Sequence, residues 1–142
     1  MKKIIMFLLC ASLILGINLY FENKRNEIKK VLEPKNTEII HFSRYAKNEE
    51  DEMLYSVKNS SEKKAELLEI ISKAERRNYK EKFEYESGEK QYTVHFTCDK
   101  GQRWMTFGSK CYVYEFYGKG YEIINGEEIL REIEAFVEEN GE

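Results

Sequence analysis

From Ile4 to Phe21 the chain carries no charged side chain and is mostly apolar, and beyond Phe21 charged positions recur throughout. A run of about 18 residues just spans a bilayer core as a helix, whereas the apolar part of a secretory signal is usually shorter. The run has no polar face, which sets it apart from a helix of a soluble core. Residues 1–21 therefore read as a signal anchor, with a cleaved signal peptide as the alternative. A cleavage site is poorly formed: with Gly16 at the last position, Ile14 would fall where a small residue is needed. Cys10 lies within the apolar run, with no small residue directly before it. Residues 22–35, "ENKRNEIKKVLEPK", read as a charged stalk or linker that continues the helix until Pro34 disrupts it.

The pattern changes at residue 36. "NTEIIHFSR" (36–44) and "EMLYSVK" (52–58) are short and rich in strand formers, and the charged segment between them suits a hairpin. Asn59 and Glu62 have capping-box spacing, and Ala65, Leu67, Leu68, Ile71 and Ala74 then recur at helical intervals. Residues 79–90 are polar and read as a loop. Four strands are expected at 91–98, 102–107, 110–117 and 121–125, separated by "DKG", "GS" and "GKG". Asn125 and Glu128 start a last helix with an apolar stripe of Ile129, Leu130, Ile133, Phe136 and Val137, and Gly141 ends it. The expected fold is α+β: an N-terminal membrane helix, then ββαββββα, with an antiparallel meander packed on two amphipathic helices. Residues 36–142 form a single extracytoplasmic domain in this reading.

Composition narrows the class. The full chain has 142 residues and a net charge of −3, and only Lys2 and Lys3 are charged before Glu22. The remainder is more acidic still, which argues against a nucleic-acid partner, since phosphate binding leans on an excess of Lys and Arg. One Pro and 13% aromatic residues point to a packed domain rather than a disordered chain. Orientation follows from the charges that flank residues 4–21, the expected membrane contact. Lys2 and Lys3 favour a cytoplasmic N-terminus, Lys24, Arg25, Lys29 and Lys30 oppose it, and short N-terminal tails usually stay inside. The domain is thus expected outside the membrane, anchored there or secreted if the N-terminus is removed.

The candidate chemistry is sparse. With Gly108-Ser109 as a two-residue turn, Thr106 pairs with Cys111 and Trp104 with Val113. With Asp99-Lys100-Gly101 as a three-residue loop, Cys98 pairs with Gln102 and Phe96 with Trp104. Strand spacing and rise then separate the Cys98 and Cys111 Cα atoms by roughly 16 Å, beyond a disulfide limit near 7 Å, so no disulfide is expected. His95 and Cys98 stand three apart on one strand and face opposite sides, which excludes a Cys–His catalytic pair and leaves no ligand set for a metal. No G-x-S-x-G, P-loop, G-x-G-x-x-G or H-E-x-x-H motif is present, and no cofactor is expected. An extracytoplasmic enzyme using His95 or His41 with a nearby carboxylate is the alternative to a non-enzymatic protein.

The same register sorts the sheet. Val94, Phe96, Cys98, Trp104, Cys111, Val113 and Ile123 are expected on the core face. His95, Met105, Phe107, Tyr112, Tyr114 and Phe116 are expected on the other, with Thr93, Thr97 and Ile124; that face is either covered by the N-terminal hairpin or the 79–90 loop, or stands open as an aromatic platform for a protein, peptide or glycan partner. The segment "CYVYEFYGKGYEII" (111–124), with the order anchor, hairpin, helix and meander, resembles small exported or membrane-anchored domains of unknown function from low-GC Gram-positive bacteria. That resemblance implies no activity and assigns no functional residue. The expected function is a membrane-anchored or exported binding module, with an immunity-type protein as a narrower variant.

Overall fold

The computed structural model describes residues 2–46, 60–82, 90–115 and 119–140. Helix α1 (Lys2–Asn26) is long and apolar enough to cross a membrane or to be a signal sequence, and none of its span is buried in the domain. The expected helical stalk is not formed. The helix ends at Asn26, and β1 (Ile28–Lys30) pairs antiparallel with β3 (Glu75–Arg77), Ile28 opposite Arg77. Val31 and Leu32 then enter the core, and the Val31 amide donates to the Ala74 carbonyl at 3.0 Å. Pairing with a distant strand satisfies the backbone here, and local helix propensity yields to it. Pro34 opens a 3-10 turn (Pro34–Asn36), where its missing N–H costs nothing.

The expected hairpin partner of β2 (Glu38–Ala46), residues 52–58, lies outside the described residues. Strand β2 pairs antiparallel with β5 (Lys90–Cys98), from Glu38 opposite Thr97 to Ala46 opposite Lys90, with an irregularity at Ile40. Helix α2 (Ser61–Ser72) is capped by Ser60, whose hydroxyl accepts the Lys63 amide at 3.3 Å. Its buried stripe is Leu67, Ile70, Ile71 and the following Ala74, while the expected Ala65 is exposed. Within the expected 79–90 loop, β4 (Glu81–Lys82) pairs with β8 (Lys119–Glu122). With β6 (Gly101–Phe107) and β7 (Tyr112–Tyr114), the strand order of the main sheet is β2-β5-β6-β7-β8-β4.

Both meander turns differ from expectation by one position. Cys98 pairs with Gly101, so Asp99-Lys100 is the connecting pair, and Gly101 takes the positive φ of 93° that such a tight reversal requires. On the other side Thr106 pairs with Tyr112, leaving a wide connection through Gly108 in place of a two-residue turn. A Cβ on Gly108 would sit 2.9 Å from the Lys90 carbonyl oxygen, so this approach needs glycine. Because side chains alternate, a one-residue slip exchanges the faces of β6. Met105 and Phe107 are fully buried beside Val94, Phe96 and Val113, and Trp104 leaves the core face.

Helix α3 (Gly126–Asn140) buries Ile129, Ile133 and Phe136, with Leu130 and Val137 partly covered. Its N-terminus is not a capping box. The Asn125 side chain instead accepts the Glu75 amide at 2.9 Å and donates to the Lys73 carbonyl at 3.0 Å, tying the end of α2 to the start of α3. Lys73–Glu132 and Lys90–Glu134 pairs link α3 to α2 and β5. Cys98 and Cys111 are free thiols, and both lie against the core.

Gly126 seats against Cys111, where an added Cβ would meet the Cys111 Cβ and lie 2.6 Å from its sulfur. Gly126→Ala is therefore expected to destabilise the full chain in detergent by about 1–3 kcal/mol, the usual range for overpacking. Gly16→Ala, with nothing within 4 Å of the new methyl, should leave the thermal midpoint unchanged.

Candidate functional site

The register of four strand pairs sets one row straight across the sheet: His41 on β2, His95 on β5, Trp104 on β6, Tyr114 on β7 and Gly120 on β8. Directly paired residues of an antiparallel sheet share a face, about 4.5–5.5 Å apart at Cβ, so their side chains meet. The His95 and Trp104 rings stack at 4.5 Å with 5° between planes, and Trp104 and Tyr114 stack at 6.0 Å and 17°. Spacings of this size match the distance between strands. The rings thus stand up from the sheet and lean on one another. A second row, Ser43, Thr93, Thr106 and Tyr112, lies alongside. Thr106 is buried and the other three are half-buried.

This row lies opposite the face that α2 and α3 cover. The covered face holds Phe42, Val94, Phe96, Met105, Phe107 and Val113, and Phe42 packs edge-on against Phe136 of α3 at 6.4 Å. Of the expected platform, His95, Tyr112 and Tyr114 are on the outer face. Met105 and Phe107 are not: each is fully buried in the core, which removes both from any binding surface. Phe116 lies outside the described residues. Trp104 is the outer-face residue that the expected turns misplaced. One signal for it was present in "RWMTF", because Met105 and Phe107 make a wholly apolar alternate pair, whereas Trp104 and Thr106 each carry a polar group.

Acid–base chemistry finds little to work with. The His95 Nε2 is enclosed and lacks a hydrogen-bond partner, and its ring lies flat on Trp104. Among the described residues neither His41 nor His95 makes an ion pair with a carboxylate. Burial raises the Cys111 thiol pKa above its usual value, and its S–H donates to the Gly108 carbonyl, so the thiolate a nucleophile needs is disfavoured. No group of three or more His, Cys, Asp or Glu suited to a metal occurs among the described residues. The arrangement offers a row of stacked, half-buried aromatic rings on the outer face.

No protein-family model matches the chain, and no curated protein or solved structure shows significant similarity to it.

The face assignment has a direct consequence for stability. Met105→Ala and Phe107→Ala are each expected to cost about 2–5 kcal/mol, as for other core truncations. Trp104→Ala should cost less than either, because its ring is only half-buried. Denaturant titration of the full chain in detergent ranks the three, and the reverse order would place Trp104 in the core.

Proposed function

We propose that this chain is a membrane-tethered, extracytoplasmic binding module without catalytic activity, and that the outer sheet face carrying His95, Trp104, Tyr112 and Tyr114 takes a protein or peptide partner. The observation that carries this reading is the stacked His95–Trp104–Tyr114 row on the face opposite the helices. A sugar is recognised by laying its C–H face on an aromatic ring, and here the ring faces are used against one another. Upright Tyr and Trp side chains, which join a large apolar area to a polar tip, suit a protein surface instead. Tyr and Trp are the residue types that dominate protein interfaces for that reason. The helix α1 supports the tether, and the two lysines at its start support an internal N-terminus.

A photoreactive phenylalanine analogue placed at Tyr112 or Tyr114 of the full chain, in native membranes, should give a discrete crosslinked adduct. The same analogue at Glu138, exposed on α3, should give none. Adding Trp104→Ala should abolish the Tyr114 adduct, since the ring row would lose its middle. Equal adducts at all three positions, or none at any, would count decisively against this face.

Placement outside the membrane has its own readout. Cys98 is half-buried at the domain surface and Cys111 is buried. A membrane-impermeant maleimide added to intact cells should label Cys98, with Cys111 labelled only after denaturation. Labelling that needs cell lysis would put the domain on the cytoplasmic side.

A further inference from the structure

On the core face, where the sheet runs out toward α1, charge replaces apolar packing. Arg103 of β6 continues the inward row from Phe96, and it is only 6% exposed. Its Nη2 donates to Glu115 Oε1 at 2.6 Å, and the Lys80 ammonium donates to Glu115 Oε2 at 3.0 Å. Arg76 of β3, 7% exposed, lays its guanidinium on the Tyr121 ring at 3.8 Å, and Lys80 sits over the same ring at 5.7 Å. One Arg76 nitrogen donates to the Arg77 carbonyl. The Nε–H groups of both arginines are enclosed with no acceptor. Arg103 and Lys80 thus share the Glu115 carboxylate, and Arg76 adjoins them through the Tyr121 ring that it shares with Lys80.

This is an expensive arrangement for a structural network. A buried charge needs a partner and full hydrogen bonding to hold its place, and an enclosed N–H without an acceptor costs free energy outright. Arg76 has its pKa lowered by burial first, partly offset by Tyr121, with Arg103 adding like-charge repulsion. Glu115 has its carboxyl pKa lowered, chiefly by the Lys80 hydrogen bond, with burial opposing and Arg103 assisting. Its side chain is 40% exposed, so this carboxylate is the member free to swing out.

We infer that Arg76, Arg103 and Lys80 form a site for a phosphate group, in which Glu115 is the resident anion that phosphate displaces. A tetrahedral oxyanion offers several acceptors at once, enough for the two unfilled Nε–H groups and the Lys80 ammonium together, which a single carboxylate does not reach.

The position of the site bears on where phosphate comes from. Asn78 donates its backbone N–H to the Glu27 carbonyl and its side-chain amide to the Lys24 carbonyl, and Arg25 lies over the Tyr79 ring at 5.4 Å. Residues 76–80 are therefore held beside the end of α1. Lys24 is three helical residues past Phe21, about 4.5 Å along the axis. The interfacial layer on each side of a bilayer is about 5–8 Å deep. With α1 in a membrane, the site stands level with phospholipid headgroups; this last step rests on the tether proposed above, while the phosphate site itself does not.

Two arms separate the sources. In the first, the full chain in a phosphate-free detergent is titrated with inorganic phosphate against chloride at matched ionic strength, following thermal stability. In the second, the same protein is mixed with phosphatidylglycerol in that detergent, and native mass spectrometry counts the retained lipid. Phosphate-specific stabilisation or retained lipid is expected, identifying a free or a lipid-borne group respectively. Arg76→Gln and Arg103→Gln should each weaken binding about tenfold or more, the usual consequence of losing a charge-assisted contact. Lys80→Gln, at a half-buried position that tolerates change, should weaken it less and still fold. Glu115→Gln should strengthen binding, because it removes the competing charge. The proposal fails if neither arm shows binding, if Lys80→Gln binds as the parent does, or if Glu115→Gln weakens binding. The domain-placement and crosslinking results above are independent of every one of these outcomes.

Discussion

The pairing of β5 with β6 through the reversal at Asp99-Lys100 is the constraint on which the rest of the domain depends. Side chains on a strand alternate, so this one register decides which of Trp104 and Met105 faces the helices. With Cys98 opposite Gly101, Val94 meets Met105 and Tyr92 meets Phe107 on the inner face. The inner face then becomes continuous with Val113, Phe42 and the stripes of α2 and α3. On the outer face the same register brings Trp104 between His95 and Tyr114. Gly101, at φ 93°, is what lets the chain turn in so few residues.

The interior is not uniform along the strands. Its middle is apolar and closed by Ile129, Ile133 and Phe136, and it gives way to Arg103, Arg76 and Tyr121 toward α1. The same region is where β1 and β3 pair and where Asn78 caps the end of the long helix. Helix and domain are therefore joined by backbone pairing and side-chain contacts, not by an extended stalk. A charged cluster at that junction and an aromatic row on the opposite face of the sheet give the domain two chemically distinct surfaces. We propose the first for oxyanions and the second for a protein or peptide, each on separate residues.

Much of the architecture was legible from periodicity. The uncharged run of α1 and the stripes of α2 and α3 have patterns too regular for another reading, and β5 announces itself by alternation. The α+β class and the meander follow from these elements and from the glycines between them. Two kinds of feature were not legible. One is turn length: "DKG" fits two-residue and three-residue reversals alike, and a difference of one residue turned Met105 and Phe107 inward. The other is pairing between distant short segments, as in β1 with β3 and β4 with β8, where two or three residues carry no period of their own. Asn125 belongs with the second kind, since its amide bridges Lys73 and Glu75 rather than its own helix.

The amino-acid sequence by itself determined the elements whose stability is local or repeats with a fixed period: an apolar helix, two amphipathic helices and alternating strands. It also determined that His95, Tyr112 and Tyr114 would stand away from the helices, because their neighbours Val94, Phe96 and Val113 must be buried. Only the tertiary structure decided that Trp104 joins them and that Arg103 and Lys80 meet at Glu115, with Arg76 beside them on Tyr121. The reason is the same in both cases. Such groupings depend on register between strands and on contacts across dozens of residues, where the deciding free energy is burial of one whole face against another and is not contained in any local stretch.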